Sequence, residues 1–209
     1  MPAPFGGKHF EPQSPNHLFI LMANPGHSGK EVPESPEDTN ALTLPKRLLR
    51  QGETPLKKLY WGSKLGEVLK SNGLSEANRH LVERAMYNIT VIQLFPYPTA
   101  KFPTLGGAGA EGVPSVEAAR AFGQAAIGAA LEGKCRVLIA RRFKDWTKDL
   151  PDLAKSKGFI EVASQDAYGR FRPLRHRVVA YGGSLPRSVP MGLHTPGGQL
   201  ANLAIQGGT

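Results

Sequence analysis

Residues 17–23, His-Leu-Phe-Ile-Leu-Met-Ala, form a short apolar run with no helix or strand breaker inside it. A run of this length suits a strand buried on both faces of a parallel sheet better than a helix. It stops at Asn24-Pro25-Gly26. Pro25 has no N–H to give to a ladder, and Gly26 admits backbone angles closed to other residues, so the strand turns there. In open α/β sheets, ligands sit outside the carboxyl ends of strands. The turn carries Asn24, His27 and Ser28 to that place, although the same residues also suit an ordinary strand-to-loop turn. A phosphate-binding loop is excluded, because its first Gly and its Ser/Thr positions hold Asn24 and Glu31. A nucleophile elbow fails as well, with Lys30 two residues after Ser28.

The rest of the chain alternates between strand and helix signals. A helix is expected over residues 61–69, with Trp61, Leu65, Val68 and Leu69 on one face and Asn72-Gly73 as its stop. Ser75 caps a second helix whose Leu81, Val82, Ala85 and Met86 face inward. Residues 44–49 suit another short helix. Residues 88–95 read as a β-branched strand that also ends in proline, at Pro96. A glycine-rich loop follows, then a long helix capped by Ser115 and ended by Gly133. Residues 135–140 form a third apolar strand, with a helix over 144–155 behind it. Residues 159–163 and 176–181 suit a hairpin joined by the basic turn 168–173. A last strand over 188–193 runs into His194-Thr195-Pro196, and residues 199–206 form the closing helix.

No repeat and no second domain are evident. The expectation is a flexible arm over residues 1–16 and one α/β domain over 17–209. Its architecture is a three-layer α/β/α sandwich around a central, mainly parallel sheet of about four strands.

Charge narrows the choice of partner. The chain carries 26 Lys and Arg against 17 Asp and Glu, a net +9. Residues 134–187 hold 13 of the bases and 5 of the acids. This is the electrostatic footprint of a protein that meets a polyanion, most often nucleic acid. Arg141, Arg142, Arg170, Arg172 and Arg175 are the DNA-contact candidates, with a solvated basic face as the alternative. The single cysteine, Cys135, sits in an apolar strand and reads as a structural thiol. No apolar run reaches the length of a membrane span, and no signal-peptide core is visible, so a soluble, intracellular (cytoplasmic) protein with no membrane partner is expected. The six histidines are scattered and Cys135 lacks a neighbour at ligand spacing, so neither a metal nor any other cofactor is expected.

The order of the strand ends resembles that of the uracil-DNA glycosylase superfamily. Asn24-Pro25-Gly26 is similar to the first motif of its mismatch-specific, thymine and single-strand-selective branches. The strand end Gln93-Leu94-Phe95-Pro96 resembles the base-reading element, and His194-Thr195-Pro196 the last motif. The likeness spans residues 17–205 and rests on this order and three short motifs. It implies a protein that flips uracil or a related altered base out of DNA and cleaves its glycosidic bond. By that resemblance Asn24 positions the attacking water and His194 donates to the uracil oxygen that gains charge. Gln93, Phe95, Pro25 and Tyr97 surround the base, and Leu200 is the wedge that fills the vacated stack. The chain departs from the pattern at Met22, where the family has Gly, at Gln93 for Asn, and in the reversed Thr195-Pro196 pair. Residues 29–44 also lack a stacking aromatic, leaving Phe95, Tyr97 or Phe102 to substitute. A member of the same fold that binds nucleic acid or a protein partner without catalysis, and a nucleotide-processing hydrolase or transferase, remain the alternatives.

Overall fold

The structure, a computed structural model, describes residues 5–6, 14–23, 55–58, 60–95, 112–162, 165–182 and 191–207. Six strands form one sheet: β1 (Phe5–Gly6), β2 (Leu18–Met22), β3 (Ile89–Gln93), β4 (Arg136–Ile139), β5 (Phe159–Val162) and β6 (Val178–Tyr181), in the order β1-β3-β2-β4-β6-β5. Every pairing from β3 to β5 is parallel, and only the two-residue β1 is antiparallel, on the edge of β3. The sheet therefore has five parallel strands where about four were expected. Residues 5–6 of the expected arm belong to it.

The helices are α1 (Tyr60–Ser71), α2 (Arg79–Met86), α3 (Pro114–Leu131), α4 (Phe143–Trp146), α5 (Gln165–Arg170) and α6 (Pro196–Gln206). Alternation along the strands sorts the core into two apolar clusters. Leu18, Ile20, Met22, Ile89, Val91, Leu138 and Val179 pack with α1, α2 and α6. Phe19, Leu21, Ile92, Val137, Ile139 and Val178 pack with α3 and Trp146. Both faces of the inner strands are thus covered, which is why their sequences are continuously apolar. Trp146 is fully buried and lies directly on Gly123 of α3.

Several expectations are corrected. Residues 159–163 and 176–181 are not a hairpin: β5 and β6 run parallel, pairing Phe159 with Val178 and Val162 with Tyr181, and α5 crosses between them. That crossover helix has six residues, too few to show a periodic pattern. The helix over 144–155 is only the single turn α4 and a 3₁₀ turn at Leu153–Lys155. Pro151 intervenes, which withholds a hydrogen bond and disfavours helical geometry at Leu150. The cap of α3 is Val113, with Pro114 in the first turn, so Ser115 lies inside the helix. Leu81 is exposed while Val82, Ala85 and Met86 are buried. Residues 191–193 are turn and bend rather than strand. The helix at 44–49 lies outside the described residues.

Candidate functional site

Parallel pairing brings the carboxyl ends of β2, β3, β4 and β6 to one edge. Met22 stands beside Gln93 in register, Leu94 N–H donates to Met22 O (3.1 Å), and Phe95 N–H donates to Ala23 O (2.8 Å). Asn24, Pro25 and Tyr97 lie outside the described residues, as does Phe102.

Gln93 follows the alternation of Ile89 and Val91, so its side chain faces the α1/α6 side of the sheet. Its Oε1 is buried and has no hydrogen-bond partner among the described residues. Phe95 is half-buried and packs against the opposite, α3-side cluster. The structure therefore does not bring Gln93 and Phe95 together as two walls of one pocket.

The start of α6 shares the α1/α6 face. Thr195 is its cap: its Oγ1 accepts from Gly198 N–H (3.1 Å) and donates to Gly192 O (2.7 Å), while Gln199 N–H donates to Thr195 O (2.9 Å). Gly197 N–H donates to the Tyr181 hydroxyl at the end of β6 (3.0 Å). Burial raises the Tyr181 phenol well above its ordinary range, so it stays neutral. The reversed Thr195-Pro196 order now has a local reason: a hydroxyl cap followed by proline in the first turn is a strong helix start. Gly198 is required because a Cβ there would lie 1.9 Å from Gly192 O. The first amides of α6 are consumed by these bonds and are not open to an anion.

His194 is exposed, in the turn just before the cap. Leu200 is fully buried in the cluster beneath α6. The wedge role is corrected accordingly: this leucine anchors the helix, with a burial contribution of about 1.5–3 kcal/mol, and has no surface to offer a base stack.

The arginines divide between the two ends of the sheet. Arg141 and Arg142 follow β4 at the carboxyl edge. Arg142 adopts a left-handed backbone (φ 60°) and its Nε pairs with Asp145 Oδ2 at 2.5 Å. Arg170 ends α5, and Arg172 and Arg175 precede β6, so all three lie at the amino edge. With Val137 opposite Val178, the two groups are separated by roughly 20 Å along the strands. One continuous DNA footprint through all five is thereby corrected to two separate basic regions.

Other features have structural explanations. Burial pushes the Cys135 thiol up to about 12, consistent with an inert core thiol, and its Sγ faces Ala126 O at 3.5 Å. An open groove of about 470 Å³ on the flank of α1 is lined by Leu56, Gly62, Gly66, Leu69, Leu74 and Glu76. Its one carboxylate is already committed to Leu56 N–H (2.7 Å) and Arg79 (2.7 Å). Among the described residues no three of His, Cys, Asp and Glu gather as a metal site, and no helix is long and apolar enough to cross a membrane.

Sequence reasoning missed the Tyr181–Thr195 lock that seats α6. The Thr-Pro-Gly-Gly string was a signal for a capped helix, read instead as part of a motif. Compared with known proteins, the chain matches no family model, no curated protein and no solved structure.

Proposed function

We propose that the carboxyl edge of β2 and β3 receives a nucleobase, and that the chain acts on DNA as a uracil-DNA glycosylase-like protein that excises uracil or a related altered base. The observation that carries this reading is the Gln93 side chain. A buried acceptor with no partner costs about 1–3 kcal/mol, and a ligand that donates to it removes that cost. A carboxamide offers one acceptor and two donors, the complement of a base's Watson–Crick edge. Uracil presents an imide N–H to such an acceptor. Gln93 sits where α/β sheets bind ligands, one strand from the Ala23 end of β2.

In the proposed reaction the glycosidic bond breaks, the base leaves with the bonding electrons as an anion, and a water adds to the sugar carbon, its released proton neutralising the base anion so that an abasic sugar hydroxyl and the free base result. Asn24 is assigned to the water and His194 to the leaving base by the resemblance. Arg141 and Arg142, the latter paired with Asp145, follow β4 at the same edge and are assigned to phosphate in a cell interior where nucleic acid is available.

The exposure of His194 favours a second reading, base binding without excision. A donor to a developing anion is strongest away from water, and His194 is solvated. Incubation with single- and double-stranded oligonucleotides containing one uracil, followed by alkali, separates the two. Strand breaks at uracil, lost in Gln93→Ala and His194→Ala, support excision. Intact strands with uracil-dependent binding support the second reading, and indifference to uracil overturns both.

A further inference from the structure

We propose that the turn at residues 170–177, at the amino edge of the sheet, is a docking element for duplex nucleic acid, with Leu174 as its wedge. Leu174 is 79% exposed, far more than any other large apolar side chain among the described residues. It projects from a turn that is firmly braced. Arg175 and His176 N–H donate to Arg172 O (3.0 and 2.8 Å), Arg172 N–H donates to His176 Nδ1 (2.9 Å), and Phe171 stacks on the His176 ring. Arg136 is only 2% exposed and donates through Nη1 to Pro173 O, beneath the turn.

The charge around Leu174 is positive, and among the described residues no carboxylate pairs with it. The side chains of Arg170 and Arg175 are exposed and make no hydrogen bond or ion pair among the described residues. Arg172, Arg136 and Arg177 bond to neutral oxygens, namely Gly169 O and Phe171 O, Pro173 O and Asn16 Oδ1, and Pro15 O. Around this turn five guanidinium groups make no bond to a carboxylate among the described residues. That arrangement is self-repulsive alone and is relieved by a polyanion.

A leucine standing between free arginines has the form of an apolar wedge that enters a base step while its neighbours hold the flanking phosphates. An acidic protein surface would match the charge, but offers no slot for a rigid, solvated leucine. The surface lies at the opposite end of the strands from Gln93 and does not depend on the base-recognition proposal.

The test uses the full chain and a fluorescein-labelled 20-base-pair duplex with no uracil, read by anisotropy over a salt series, so that its failure leaves the Gln93 reading standing. Arg170→Ala/Arg175→Ala, which removes no side-chain bond among the described residues, should flatten the salt slope by about two units, roughly one per lost phosphate contact. Leu174→Ala should weaken binding by roughly tenfold with the slope unchanged, and should abolish the fluorescence rise of a 2-aminopurine placed in the duplex. An unchanged slope in the double variant, or an unchanged affinity in Leu174→Ala, overturns the proposal. So does tighter arginine-dependent binding to polyglutamate or to phosphatidylserine vesicles than to the duplex.

Discussion

Replacing Gln93 by leucine removes a buried polar atom at the β3 end that has no partner among the described residues, while keeping most of the side-chain volume. An unsatisfied buried acceptor costs about 1–3 kcal/mol, and the half-buried position argues for the lower half of that range. The Met22 side chain beside it belongs to the apolar cluster, so leucine finds a compatible neighbour. The variant should therefore be more stable than the parent by about 1–2 kcal/mol, a rise in Tm of roughly 2–8 °C for a chain of this size. The same change should remove discrimination between uracil- and N3-methyluracil-containing oligonucleotides, a gain in stability at the expense of recognition. Urea denaturation followed by circular dichroism measures the first effect, and m should stay constant between the two proteins. A loss of 1 kcal/mol or more in Gln93→Leu would mean that the carboxamide is held by a structural hydrogen bond, and the reasoning would fail.

Three other substitutions test the frame around the site. Gly123→Ala would place a Cβ 2.5 Å from the Trp146 ring, so it should destabilise the protein by about 1–3 kcal/mol and shift Trp146 fluorescence in the folded state. Thr195→Ala removes the cap of α6 and should lower the urea-derived stability by about 1 kcal/mol. The pH dependence isolates His176, whose pKa is lowered from the ordinary 6.5 by burial first and then by Arg175 and Arg172. The unfolded chain takes up the proton first, so this contribution is complete above pH 6.5 and is lost as pH falls from 6.5 through the lower folded value. Urea midpoints measured from pH 7.5 down to 5 should therefore decline less in His176→Asn, which keeps an acceptor for Arg172 N–H but does not titrate.

The inner strands were legible because burial on both faces leaves an unbroken apolar run. The positions of residues 17–23, 88–95 and 135–140 followed from that alone. The partner of each strand was not legible. The 159–163 segment and its neighbour at 176–181 lie next to each other in space under either direction of pairing, and only the short crossover α5 decides between hairpin and parallel pair. A basic, glycine-containing string reads as a turn because local composition does not register the tertiary position of a six-residue helix. Leu200 shows the same limit from the other side. Spacing from His194 placed it near a motif, but its helical phase with Ala201, Ala204 and Ile205 placed it in the core. Charge counting found the basic region, whereas only the register of β4 against β6 shows that it occupies two ends of the sheet. Gln93 was assigned from the sequence only through the resemblance of its strand end to a base-reading element, and its buried oxygen, without a partner among the described residues, belongs to the three-dimensional packing alone.

The account rests on base recognition at Gln93, and this can be measured apart from catalysis. The most direct measurement is the equilibrium affinity for an oligonucleotide carrying one 2′-fluoro-deoxyuridine, which resists cleavage, against the same strand carrying its N3-methyl derivative, which lacks the imide N–H. The fluoro-uracil strand should bind more tightly than the N3-methyl strand, by roughly tenfold or more for a charge-neutral amide pairing in a dry site, and Gln93→Ala should abolish the difference while leaving N3-methyl-strand affinity unchanged. Equal affinities in the unaltered protein, or a uracil preference that survives Gln93→Ala, would contradict the assignment of this residue and with it the proposed site.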